Sequence, residues 1–238
     1  MMTTFLSARW ENLVMANYAV NPGLLQRYLP NGVELDDYNN TAYVSLVGFM
    51  FKRTSIFNIP IPVLGSFEEI NLRFYVKRVQ GDTVKRGVVF INETVPYKPV
   101  AWLANTLYKE HYIAIPTRNE TDISNSFKKI RYEWKINNRW NHIAVNAALE
   151  NEAMIPGSIE EFIFEHYYGY TKINDRDTQE YQVNHPAWQV NQVFDYSVYC
   201  DFRSMYGNDF SFLSNHQPDS VIIAGGSRVT VNWKRTLF

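Results

Sequence analysis

Glu69, Asn71, Arg73 and Tyr75 stand two residues apart in the chain. On a β-strand such residues share one face, about 6.6 Å apart along it. An acid, an amide, a guanidinium and a phenol in one row can hydrogen-bond to one small molecule. Glu69 would supply a general base, and Arg73 a partner for a carboxylate. The residues that alternate with them, Ile70, Leu72, Phe74 and Val76, make an apolar opposite face. The plainer reading is a strand with one face in water, as antiparallel sheets commonly have. The mixed hydrogen-bonding set weighs equally for the interior of a closed sheet. In that case the apolar outer face needs helices to cover it.

A second cluster is His185-Pro186-Ala187-Trp188. A residue before proline is held extended. Its imidazole can titrate near neutral pH and serve as acid, base or hydrogen-bond donor. The other histidines, at 111, 142, 166 and 216, show no metal-ligand spacing, and one cysteine cannot form a zinc cluster. No phosphate-binding glycine loop and no Gly-x-Ser-x-Gly elbow occurs. The residue types therefore ask for no metal and no cofactor. Cys200, in a predicted strand, reads as an inert core residue.

These residues have to be positioned by strands. Leu13 to Val20 suits a buried strand, and Asn21-Pro22 opens a short helix through Tyr28, with Asn21 as its cap. Ala42 to Phe51 is a strand; Ile70 to Val79 and Val84 to Glu93 form a hairpin about Gln80-Gly81-Asp82. A helix runs from Pro99 to Leu107, with Trp102, Leu103 and Leu107 on one face. Arg131 to Ile136 and Trp140 to Ala148 flank the turn Asn137-Asn138, and a capping box at Ser158 opens a helix through Tyr167. Thr178 to Val183, Gln192 to Cys200, Val221 to Ala224 and Arg228 to Trp233 complete the strands, with Gly225-Gly226 read as a turn. The apolar stretch Asn58 to Gly65 reads as an ordered loop rather than a linker. The pattern points to an antiparallel-rich α+β domain with a few short helices, in which a curved sheet or partial barrel would enclose a cavity. One domain over residues 1–238 is expected.

Composition narrows the function classes. The 23 basic and 24 acidic residues leave a net charge of −1, so there is no large positive field for nucleic acid or an anionic membrane. No window approaches the ~18 apolar residues of a membrane span, and Arg9 and Glu11 interrupt any leader-like start. With Cys200 as the lone cysteine, a reducing, cytoplasmic location is expected. Aromatic residues make up 16% of the chain, which suits both strands and the walls of a small-molecule cavity.

The order of several segments resembles a known family. They are Trp10 and the strand after it, Asn21-Pro22 to Leu29-Pro30, Ala42 to Phe49, and Phe67-Glu68-Glu69-Ile70-Asn71-Leu72-Arg73-Phe74-Tyr75-Val76. Leu107-Tyr108 to Tyr112, Asn184-His185-Pro186-Ala187-Trp188 and Gly226-Ser227-Arg228-Val229-Thr230-Val231 follow. Together they resemble the YqjF-like family, known as domain of unknown function 2071. That family is similar to acetoacetate decarboxylase. The resemblance implies an α+β fold with an antiparallel-rich, highly curved sheet forming a partly closed β-barrel around a cavity, in which a decarboxylase lysine forms an imine with a keto acid beside an arginine and a glutamate. Glu69 matches the glutamate. The position matching the lysine is Tyr112, and a phenol cannot form an imine; Lys109 lies three residues earlier.

Three readings follow. The first is a protein that binds a small, carboxylate-bearing organic molecule, with Glu69, Asn71, Arg73 and Tyr75 lining the site and Tyr108, Tyr112, His185 and Trp188 around it. The second is an enzyme with imine-free acid–base chemistry (enolisation, dehydration or hydrolysis). Glu69 or His185 would be its base, Tyr112 its acid and Arg73 its electrostatic stabiliser. The third is a structural or interaction protein whose polar row is a satisfied network. The resemblance allows a homo-oligomer.

Overall fold

The computed structural model describes residues 3–62 and 64–238. In chain order its elements are β1 (Thr4–Val20), α1 (Pro22–Leu25), β2 (Glu34–Leu35), β3 (Ala42–Ile56), β4 (Ile59–Pro60), β5 (Phe67–Gln80), β6 (Thr83–Val95) and α2 (Lys98–Tyr108). Next come β7 (Tyr112–Ala114), β8 (Thr117–Ile123), β9 (Phe127–Ile136), β10 (Arg139–Ala148), β11 (Glu152–Ala153) and α3 (Ile159–Phe164). The last are β12 (Tyr168–Lys172), β13 (Thr178–Asn184), β14 (Gln189–Asn191), β15 (Val193–Tyr199), α4 (Phe202–Tyr206), β16 (Ser220–Asn232) and β17 (Arg235–Leu237).

The large sheet runs β11-β14-β16-β1-β3-β5-β6-β12-β13-β17. Strand β13 also pairs with β16, through Val183↔Val231 and Asn184↔Thr230. This contact makes a ring of seven strands: β16, β1, β3, β5, β6, β12 and β13. The sheet is therefore highly curved, with a few short helices about it, as the family resemblance implies. Most pairings are antiparallel; β6 pairs in parallel with β7 and β12.

The alternation in β5 sorts its side chains between two cores. Ile70, Leu72, Phe74 and Val76 pack outside the ring with Ile130, Tyr132 and Trp134 of β9 and Ile143 and Val145 of β10. The cover over this face is mainly a second, four-stranded sheet, β15-β10-β9-β8, rather than the helices expected. Helix α4 and the 3₁₀ segment Asn208–Asn215 add Phe202, Met205, Phe210 and Leu213 to the same core. Inside the ring, Val47, Phe49, Phe51, Phe67 and Tyr75 pack with Phe162, Phe164 and Trp188.

Local signals explain much of the framework. Asn21 Oδ1 accepts from Gly23 N at 2.8 Å, capping α1, and the chain continues as a 3₁₀ turn to Tyr28. Ser158 Oγ accepts from Glu161 N at 3.2 Å at the start of α3, which ends at Phe164 rather than Tyr167. Asn137 and Asn138 have φ of 47° and 63°, the left-handed pair that a tight hairpin between β9 and β10 needs.

Further features depart from the sequence reading, beginning with β1, which starts at Thr4 rather than Leu13. Strand β16 is continuous where two strands were expected. Gly226 carries φ of 81° within it, and a Cβ there would lie 2.1 Å from the Trp10 carbonyl oxygen, so the glycine bends the strand without ending it. Trp102 projects outward, 67% exposed, instead of sharing a buried face with Leu103. Strands β8 and β12 were not expected; β8 is polar and almost wholly exposed, and β12 is only five residues long. In the segment Asn58 to Gly65, Ile59–Pro60 pairs with β3, and Val63 lies outside the described residues.

Candidate functional site

The ring encloses a cavity of about 170 Å³. Its wall is mostly apolar and aromatic, with Trp10, Phe49, Phe51, Phe67, Phe90 and Phe164 among the contributors. Glu69, Asn71 and Arg73 of β5 line it, so this polar row faces inward. Register then sets their neighbours: Asn71 lies across from Glu93 of β6, and Glu93 across from Tyr112 of β7. Asn71, Glu93 and Tyr112 therefore form a row across three strands.

Glu93 escaped the sequence reading for a structural reason. In β6, Val88 and Phe90 point into the cavity, and strict alternation would send Asn92 inward next. The pairing jumps instead from Arg73↔Phe90 to Leu72↔Asn92. That extra residue is a β-bulge, and it reverses the alternation. Glu93 and Val95 consequently turn inward. A bulge leaves no reliable mark in the amino-acid types, so a single sequence offered no signal for it.

Glu69 is nearly inaccessible. Asn71 Nδ2 donates to its Oε1 at 3.0 Å, and the Tyr112 hydroxyl donates to its Oε2 at 2.9 Å. Burial pushes its pKa up to about 7, against the lowering effect of those two bonds and of the Arg73 charge. Glu110, just after α2, is pushed up to about 7 by burial as well; Thr171 Oγ1 (2.6 Å) and the Tyr181 hydroxyl (3.0 Å) donate to it. Burial raises Glu93 well above the carboxylate range, and the charges of Glu110 and Glu69 add to the effect. Three carboxyl groups thus share one cavity wall, and burial disfavours ionising all of them at neutral pH. Tyr181 reaches Glu110 because it lies across from Gly169, where a Cβ would sit 2.1 Å from its ring.

Arg73 has no carboxylate partner among the described residues. Its Nη2 donates to the Ile163 carbonyl oxygen at 3.3 Å and to Met15 Sδ at 3.5 Å, and its guanidinium lies 5.6 Å from the centre of the Tyr75 ring. Its Nε, Asn71 Oδ1 and Glu93 Oε2 are buried and make no hydrogen bond.

The remaining candidates divide. Tyr108 and Tyr112 line the cavity; the Tyr108 hydroxyl donates to the Asn232 carbonyl oxygen at 3.3 Å. His185 and Trp188 also line it and stack on one another, with ring centres 3.9 Å apart. His185 donates from Nδ1 to the Pro186 carbonyl oxygen at 2.9 Å, and burial lowers its pKa, so it stands as a neutral imidazole. Trp188 Nε1 donates to Ser227 Oγ at 2.8 Å. Tyr75 shares the inward face but does not reach the cavity. Its hydroxyl is 2.5 Å from Ser45 Oγ, which in turn donates to Asn17 Oδ1, and its ring packs on Phe162 and His166. Lys109, the left-handed residue that ends α2, is exposed, and among the described residues no lysine lines the cavity.

His166 was read only as a histidine without metal spacing, yet it lines the cavity. Its Nε2 donates to Asp36 Oδ2 at 3.1 Å, and Arg86 Nε donates to the same oxygen at 2.6 Å. Burial pushes His166 down to about 4, against its bond to Asp36. Burial opposes ionisation of Asp36, but the bonds from His166 and Arg86 prevail and hold it at about 2. Among the described residues, no three or more His, Cys, Asp or Glu side chains are placed to hold a metal ion. No helix among them is long and apolar enough to cross a membrane.

Several solved structures share this fold. Acetoacetate decarboxylase from Legionella pneumophila matches with a TM-score of 0.67 at 9% identity, over 99% of this chain and 88% of that one. The enduracididine biosynthesis enzyme MppR, complexed with pyruvate, matches at 0.66 and 12% identity, over 100% of this chain and 92% of that one. An acetoacetate decarboxylase-like enzyme from Sphingomonas wittichii RW1 matches at 0.65 and 10% identity, covering 99% and 93%. Identities this low establish the fold alone: a sheet curved around a cavity, in the manner of acetoacetate decarboxylase. In sequence, the uncharacterized protein YqjF of Bacillus subtilis (strain 168) is 29% identical over 112 residues. That match spans 47% of this chain and 45% of the Bacillus protein. The model of DUF2071, an uncharacterized conserved protein family, matches residues 7–228, and the chain belongs to that family.

Proposed function

We propose that this protein binds a small, carboxylate-bearing organic molecule in the cavity, without forming an imine. The observation that carries the reading is Arg73. A guanidinium on a mostly apolar cavity wall, with an unpaired buried Nε, has no carboxylate in direct contact among the described residues; the Glu69 carboxyl feels its charge only at a distance. A ligand carboxylate would supply that contact through charge-assisted hydrogen bonds. Glu69 does not fill this role because Asn71 and Tyr112 hold it. The fold relative MppR is complexed with pyruvate, a carboxylate small enough for a cavity of this size. The test is calorimetric titration of short carboxylates, pyruvate among them, into wild type and Arg73→Ala. Binding to wild type that falls about tenfold or more in the variant is expected, since a hydrogen bond to a charged group contributes about 1.5–3 kcal/mol. Equal binding to both proteins refutes the reading.

The carboxyl cluster favours a second reading, an enzyme with imine-free acid–base chemistry. Glu69, near neutral in pKa and bonded to the Tyr112 hydroxyl, suits a general base that takes a proton from a bound substrate. Glu93 and Glu110 then join Tyr112 as candidate acids. A turnover assay on enolisable keto acids, following solvent deuterium incorporation, tests it. Exchange that Glu69→Gln abolishes supports the enzyme, whereas exchange at the uncatalysed rate leaves the binder.

A further inference from the structure

The cavity wall is unequal in its polar groups. Glu69, Glu93 and Glu110 line it together with one arginine, and among the described residues no lysine does so. Two of its buried side chains present acceptors with nothing to accept: Asn71 Oδ1 and Glu93 Oε2, on residues only 2% exposed. They lie across from each other on β5 and β6. Directly opposed residues of this kind stand about 5 Å apart, close enough for one donor group to reach both. Arg73, with its unpaired donor, lies two residues further along β5 from Asn71, about 6.6 Å away. The wall therefore has a donor end and an acceptor end, with aromatic rings around both.

We propose that the acceptor end, Asn71 with Glu93, binds a cationic nitrogen, so that the molecule held here is a zwitterion: a carboxylate on Arg73 and an ammonium-type group on Asn71 and Glu93. This rests on the carboxylate reading above for one of its two ends. A ligand with no donor would leave Asn71 Oδ1 without a partner, and a buried acceptor without a donor is costly. An ammonium brings three donors, and its charge would favour release of the proton that burial otherwise keeps on Glu93, giving the carboxylate that compensates it. The nearby aromatic faces, Phe90 and Phe49 among them, suit the apolar linker between the two ends.

The experiment is competition calorimetry on the whole chain with three matched series. The first is γ-aminobutyrate, δ-aminovalerate and ε-aminocaproate; the second is butyrate, valerate and caproate; the third is the corresponding primary alkylamines. At one chain length the amino acid should bind about tenfold or more tighter than the plain acid. Glu93→Gln, which keeps shape and volume, should erase that preference, so that amino acid and plain acid bind the variant alike. Its melting temperature checks folding; losing a buried carboxyl should leave it equal or higher. If plain acids bind as tightly as amino acids, the zwitterion proposal falls and the carboxylate reading stands. If alkylamines match the amino acids and Arg73→Ala changes neither, the carboxylate end fails and with it the zwitterion. Binding by none of the three series overturns both.

Discussion

Arg73 and Tyr75 have opposite fates although both stand on the inward face of one strand. Arg73 keeps an unpaired donor at the cavity, whereas Tyr75 closes a hydrogen-bonded chain with Ser45 and Asn17. Tyr75→Phe should therefore lower stability by about 0.5–1.5 kcal/mol in urea denaturation and leave ligand affinity unchanged. A loss of affinity with no loss of stability would return Tyr75 to the site. Glu110 makes a pH prediction. Its pKa is about 7 when folded, above its ordinary 4.5, so between those values the folded chain holds a proton that the unfolded chain has released. Stability from this group is intact below about 4.5, falls as pH rises to about 7, and stays lost above. His166, pushed down to about 4 from 6.5, acts in the opposite sense over much of that range, and Glu69 and Glu93, both raised by burial, act in the same sense as Glu110, so the wild-type profile mixes all four. Comparing Glu110→Gln with wild type isolates the carboxyl: the variant should gain relative stability between pH 5 and pH 8. A constant difference in melting temperature across that range would contradict the shift.

At the scale of elements, irregularities aim the chemistry. The bulge in β6 turns Glu93 inward, and the left-handed Gly226 bends β16 where it passes Trp10. Gly226→Ala meets two obstacles, a positive φ and a Cβ contact of 2.1 Å with backbone. Backbone strain alone should destabilise by about 1–3 kcal/mol in equilibrium denaturation, and the clash adds to it. An unchanged midpoint would mean that β16 can relax around this site. The same scale shows why part of the candidate site was legible in the sequence. Glu69, Asn71 and Arg73 lie on a run of unbroken period two, so their common face could be read directly. Tyr112 came through the family resemblance. Glu93 lies past a bulge, Glu110 between a helix and a three-residue strand, and His166 between a helix and β12; none sits on a periodic run. Period-based reasoning has no purchase on such residues.

For the molecule as a whole, the absence of any lysine from the cavity wall, among the described residues, bears on imine chemistry. Borohydride treatment with pyruvate or acetoacetate should give no lysine adduct in the intact mass. An adduct mapping to Lys109 would require α2 to rearrange, since that residue now caps the helix in solvent. The sequence by itself determined the strand-rich character, the polar row on one face of β5, the hairpins at Gly81 and at Asn137-Asn138, and the family. The family follows from the likeness of whole segments; the rest follow from local rules, since alternation, turn residues and caps act between neighbours in the chain. Only the tertiary structure decided that the apolar face of β5 is covered by a second sheet, that Tyr75 is spent on Ser45, and that three carboxyl groups meet across β5, β6 and the end of α2. Those outcomes depend on register and on closure of the ring between β13 and β16. Both are fixed by contacts between residues far apart in the chain, and the burial that raises the carboxyl pKa values exists only once the ring has closed.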